Sequence, residues 1–156
     1  MEALKKHLVA ALRGGLAYDT FDNIVGEFEP AHRGIVPDGA ERSAWQILEH
    51  MRLCLRDILD YSQNDDGKYR EMDWPEEYWP KNAEPQEGAW EKTVGQYVID
   101  MRELELLVMD PERDLFTPFP WAKEHTLLRE VLIATDHQAH HLGQLIELKR
   151  WIAAKE

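Results

Sequence analysis

Wherever apolar residues along this chain are regularly spaced, they recur every three to four positions, the period of a helix buried on one face. Leu4, Leu8, Val9 and Leu12 predict a first helix, broken at Gly14-Gly15 and resumed at Phe21, Ile24, Val25 and Phe28. Pro30, Gly34, Pro37 and Gly39 mark a loop. Ser43 then precedes AWQILEHMRLCLRDILDY, whose Trp45, Leu48, Met51, Leu55, Ile58 and Leu59 form the stripe of a second long helix ending near Asn64. A third helix is predicted from Ala89 to Met109, stopped by Asp110-Pro111. The last begins near Thr126 and runs through TLLREVLIATDHQAHHLGQLIELKRWIAA. No period-two run and no Asn-Gly or Asp-Gly hairpin is present. The expected fold class is therefore all-α, a four-helix bundle with long connecting loops.

The longest connection, residues 63–88, is rich in proline and aromatics around Trp74, Tyr78 and Trp79. A connection of that length inside a compact domain usually carries function or acts as a lid. The 156 residues fit one helical domain spanning 1–156. With 44% hydrophobic and 31% charged residues, the composition is that of a folded chain.

Charge narrows the partners. Eighteen Lys and Arg against thirty Asp and Glu leave a net charge of −12, which repels phosphate backbones and anionic headgroups. Neither nucleic acid nor a membrane surface is an expected partner, and no apolar stretch is long enough for a membrane span. The N-terminus lacks a secretory pattern and Cys54 is the single cysteine, so the expected setting is the cytoplasm.

The candidate chemistry lies in DHQAHHLGQ on the last helix. Residues four apart on a helix are rotated by only about 40° and stand one turn apart, so His137 and His141 can face one ion. On a wheel of about 100° per residue, His141 lies roughly 80° and His137 roughly 120° from the centre of the apolar stripe, with His140 nearly opposite. His140 therefore belongs to solvent, beside Asp136 and Glu147. His50 is the only histidine inside another long helix and also falls on the margin of its stripe. Three neutral imidazoles from His50, His137 and His141 suit a divalent ion with positions left for water or substrate. The competing reading is three boundary histidines that bind nothing. Position 138 is Gln, so the H-E-x-x-H arrangement of metalloproteases is missing.

Around this trio, Gln144 lies on the His137 side of the helix and reads either as a solvated boundary residue or as a hydrogen-bond partner for a ligand, a bound water or substrate. Gly143 reads as a packing position. Cys54, one turn after His50, reads first as core and second as a sulfur ligand or nucleophile. Asp57 is placed either in solvent or as acceptor of the second N–H of His50. The segment WPEEYWP is expected either to roof a pocket or to pin its loop to the bundle.

With SAWQILEHMRLCLRDIL on the second long helix, WPEEYWP in the middle loop and DHQAHHLGQL on the last helix, the chain resembles the DinB-like (DinB/YfiT) superfamily over nearly its whole length. The resemblance implies a four-helix bundle carrying three histidines, which correspond here to His50, His137 and His141. It implies a divalent metal, nickel or zinc, able to lower the pKa of a low-molecular-weight thiol and bind its thiolate, as in relatives that use mycothiol or bacillithiol, without fixing whether a thiol is used here. It also implies a homodimer. The expected function is a metal-dependent transferase or hydrolase that activates such a thiol, or water, toward a small-molecule substrate. The alternative is a non-catalytic, stress-related bundle that binds partner proteins.

Overall fold

The computed structural model describes residues 1–155. It contains α1 (Glu2–Arg13), α2 (Phe21–Gly26), α3 (Ala44–Ser62), α4 (Ala89–Met109) and α5 (Leu127–Ala153). Among the described residues there is no strand, only two isolated bridges, Gly14 with Thr20 and Pro118 with Thr126. The all-α expectation holds. The helix resumed after the Gly pair is a separate short element, α2, capped by Thr20 and ending before Phe28, so it stands beside the four long helices as a fifth.

Local chemistry explains where the helices begin. Ser43 and Gln46 form a capping box, each side chain bonded to the other's backbone N–H, which satisfies two donors that the first turn of α3 would otherwise leave open. The Thr126 hydroxyl accepts from Arg129 N–H and starts α5 in the same way.

The apolar stripes then meet. Both α1 and α3 pack against α4 and against α5, so the four longer helices close a ring, and α2 lies on α5. Leu48, Met51, Leu59, Leu104, Val108, Val131, Leu142 and Leu145 are fully buried at its centre. Several polar groups are buried with them and are partnered. Gln138 donates to the Leu12 carbonyl and accepts from the Tyr97 hydroxyl, tying α5 to α1 and α4.

The connection between α3 and α4 is not a free strap. Ser43 Oγ donates to the Ala83 carbonyl at 2.5 Å, and Gln46 Nε2 donates to the Pro80 carbonyl at 3.1 Å. Gly34 lets this segment sit down closely. A Cβ there would overlap Glu84 Cγ and approach Glu84 Cβ at 3.0 Å and Cα at 3.1 Å. The side-chain tip can swing away, but the backbone cannot. Gly34→Ala is therefore expected to cost about 1–3 kcal/mol in urea unfolding, as overpacking does. Because the displaced segment carries Trp79, its fluorescence should change in the folded variant.

Candidate metal centre

The H-x3-H spacing on α5 does what helix geometry requires. His137 and His141 stand with ring centroids 4.4 Å apart. His50, from α3, meets them at 5.0 Å and 4.8 Å respectively. The structure thus brings the three predicted residues together from two helices that pack directly on each other. His140 is exposed, as its place on the wheel implied.

The protons of two rings are assigned by their outer partners. His50 Nδ1 lies 2.9 Å from the Tyr78 carbonyl, which can only accept, so this nitrogen carries the hydrogen and Nε2 is left with its lone pair. His141 Nδ1 donates to Gln144 Oε1 at 2.7 Å, leaving its Nε2 likewise open. His137 Nε2 approaches His50 Nε2 to 3.1 Å. Two metal–nitrogen bonds of about 2.1 Å place their nitrogens about 3.0 Å apart at a right angle and about 3.4 Å apart at the tetrahedral angle. The observed gap falls in that interval, so this donor pair fits a divalent ion.

A sulfur lies beside them. Cys54 Sγ is 3.5 Å from His50 Nδ1 and 3.6 Å from Nε2, nearly equidistant from both nitrogens. His50, Cys54 and His137 each offer one ligand atom within 4.8 Å of the others, and this group could hold a metal ion. The thiol, half-buried, is pushed up to about 12, first by burial and then by the Asp57 carboxylate. It is protonated at neutral pH and becomes a ligand only if a cation displaces its proton.

Burial also keeps the imidazoles neutral. His137 is pushed down to about 3, first by burial and then by the neighbouring histidines. His141 is pushed down to about 4 by burial, the bond to Gln144 opposing, and His50 is lowered by burial against the pull of the Tyr78 carbonyl. Neutral imidazole is the form that binds metal.

The loop 63–88 covers the centre. Trp79 stacks on His50 with centroids 3.7 Å apart and planes 6° off parallel, which explains why His50 is 2% exposed although its helical position is marginal. Trp74 adds a tilted contact to His50 at 6.1 Å. The aromatic segment both roofs the site and pins its loop.

One expectation is corrected. Asp57 does not accept from His50. It accepts from the Tyr69 hydroxyl at 2.9 Å and the Tyr78 hydroxyl at 2.8 Å, because the loop carries these phenols to it. Its influence on His50 passes through Tyr78, whose hydroxyl is anchored on Asp57 while its carbonyl orients the imidazole. Tyr78→Phe should lower stability by about 1.5 kcal/mol, the lower end for a bond to a charged acceptor. The carbonyl that orients His50 is retained, so zinc affinity should fall by well under the roughly tenfold that follows removal of an orienting partner. Urea unfolding and a zinc titration of the same sample check both. A backbone carbonyl leaves no mark in the sequence, so this partner was not legible there.

Beside the centre opens a cleft of about 830 Å³, within the size range of small-molecule sites. His141, Gln144 and Trp79 are among its lining residues, so the cleft reaches the histidine cluster at His141. No curated protein and no solved structure matches the chain. The family model of the DinB superfamily matches residues 15–145, a span that contains all three histidines and the loop that covers them. The chain belongs to the DinB superfamily.

Proposed function

We propose that His50, His137 and His141 together hold a divalent metal ion, zinc or nickel, and that the protein is a metal-dependent transferase or hydrolase acting on a small molecule admitted through the adjacent cleft. The observation that carries this is the convergence of two Nε2 atoms at 3.1 Å, with the proton of His50 fixed on its far nitrogen by the Tyr78 carbonyl. When bound, such an ion supplies a Lewis acid that lowers the pKa of a thiol or water and stabilises the nucleophile so formed.

The chain's own residues do the rest. Tyr78 and Gln144 hold the His50 and His141 rings by their outer N–H groups. Trp79 covers His50 and excludes water from that side. The cleft at His141 leaves a route for a low-molecular-weight thiol and its electrophilic partner. Cys54 is better placed to pack on His50 than to attack a substrate, since its thiol is protonated and its sulfur lies against the ring. The net charge of −12 argues against DNA as the substrate, and among the described residues no helix is long and apolar enough to cross a membrane.

Untagged protein loaded with zinc or nickel, assayed with bacillithiol, mycothiol, glutathione and coenzyme A against a chromogenic aryl halide, tests the thiol reading. A nitrophenyl ester tests the use of water. Metal-dependent turnover that disappears in His137→Ala is expected in one arm. Metal bound without turnover in either arm would contradict an enzymatic role and favour a structural bundle that binds partners.

A further inference from the structure

Most of the arginine charge of this acidic chain is paired with carboxylates within the fold. Of the ten arginines in the sequence, nine have a carboxylate oxygen within 4.0 Å. The exception among the described residues is Arg42. Its one hydrogen bond goes to the neighbouring Glu41 carbonyl at 3.0 Å, and its guanidinium lies over the Trp79 ring, 5.1 Å from the centroid. That ring is the one stacked on His50.

Arg42 also lines the cleft beside the histidine centre. A guanidinium resting on an indole face keeps most of its donors in the ring plane and open at the edge, the geometry that receives a carboxylate side-on. Opposite charge is scarce elsewhere in the cleft. Glu147 is committed to Arg150, whereas the Glu41 side chain stands at the same rim as Arg42. One guanidinium with a carboxylate beside it suits a monoanion and repels a phosphate or polyanion. The rest of the lining sets the apolar Ile47, Leu148 and Trp151 alongside Trp79, with His140, His141 and Gln144 as its polar members.

We infer that the cleft recognises a small organic monocarboxylate, its carboxylate paired with Arg42 and its apolar body lying along Trp79, Trp151 and Leu148. The end remote from the carboxylate then faces His141 and Gln144. This deepens the metal-site reading by naming the class of molecule presented to it, and rests on that reading for the reaction but not for the binding. Arg42 acts in recognition and touches no group assigned to the histidine centre except through Trp79.

The test uses metal-free, ¹⁵N-labelled full-length protein, so a carboxylate cannot be drawn to an ion instead. Phenylbutyrate and its neutral analogue phenylbutyramide serve as probes at millimolar concentration. The acid is expected to shift the Trp79 indole and Arg42 side-chain resonances and to bind roughly tenfold tighter than the amide, as a charge-assisted pair implies. Arg42→Gln should erase that preference, and Arg42→Lys should restore part of it. Equal binding of acid and amide, a preference that survives in Arg42→Gln, or no shift at the cleft would overturn the inference. Zinc titration of the same variants separates the two claims, because Arg42→Gln should take up metal like the wild type. A protein that binds the acid but no zinc would refute the metal centre and leave the carboxylate site standing.

Discussion

Zinc should raise the unfolding temperature of the wild-type protein by roughly 10 °C and leave that of His137→Ala almost unmoved. A ligand that binds only the folded state stabilises it by about 4 kcal/mol at a free concentration a thousandfold above its dissociation constant. For a chain of this size each kcal/mol moves the midpoint by about 2–4 °C. His137 supplies the nitrogen that lies 3.1 Å from His50 Nε2, so its loss removes one member of the converging pair. The fold itself should tolerate the change, since His137 is half-buried and the core at Leu142 and Leu145 is untouched. Calorimetry with and without zinc separates the two effects. An equal zinc-induced shift in wild type and variant would place the ion elsewhere.

The second large effect concerns acid. An ordinary imidazole, with a pKa near 6.5, is about 97% protonated at pH 5, so two such ligands would together cost about a thousandfold in metal affinity between pH 7 and pH 5. Here His137 and His141 are pushed down to about 3 and about 4 and stay neutral at pH 5. Zinc affinity should therefore fall far less than a thousandfold over that range. Isothermal titration at the two pH values measures it.

The same shifts have a cost for the metal-free protein. The folded pKa values lie below those of the unfolded chain, so between about 6.5 and 4 the unfolded state binds more protons than the folded one. Stability supplied by keeping these rings neutral is present above 6.5 and is lost as pH falls through that window toward the folded values. Urea unfolding of the metal-free wild type should become easier from pH 7 to pH 4, with a shallower decline in His137→Asn, which has no ring to protonate. Parallel declines would mean that other groups control the acid response.

Much of this was legible in the residues. The bounds of α4, the start of α5 at Thr126 and the capping of α3 by Ser43 follow from apolar period and cap chemistry, both local properties of the sequence. The meeting of His137 with His141 follows from helical rise alone. The approach of His50 required only that α3 and α5 be neighbours. What lay beyond reach depended on how the 63–88 connection folds back. A wheel places His50 at the edge of its stripe, yet the residue is buried because Trp79 from that connection covers it. The partner of its Nδ1 is a backbone carbonyl, which any residue at position 78 would present. Asp57, two turns from His50 on one helix, suits a direct partner by spacing, but two phenols from the loop reach it first. Cys54 reads first as core, and its half-buried sulfur lies against the His50 ring, 3.5 Å from Nδ1.

The central claim is a metal centre built by α3 and α5, and elemental analysis of untagged protein tests it most directly. Wild type, His50→Ala, His137→Ala, His141→Ala and Cys54→Ser should be purified side by side and exposed to zinc and nickel before excess is removed. The three-histidine proposal predicts about one equivalent in the wild type and in Cys54→Ser, with metal lost from each histidine variant. A wild-type protein that takes up neither ion, or a His137→Ala variant that retains a full equivalent, would contradict it.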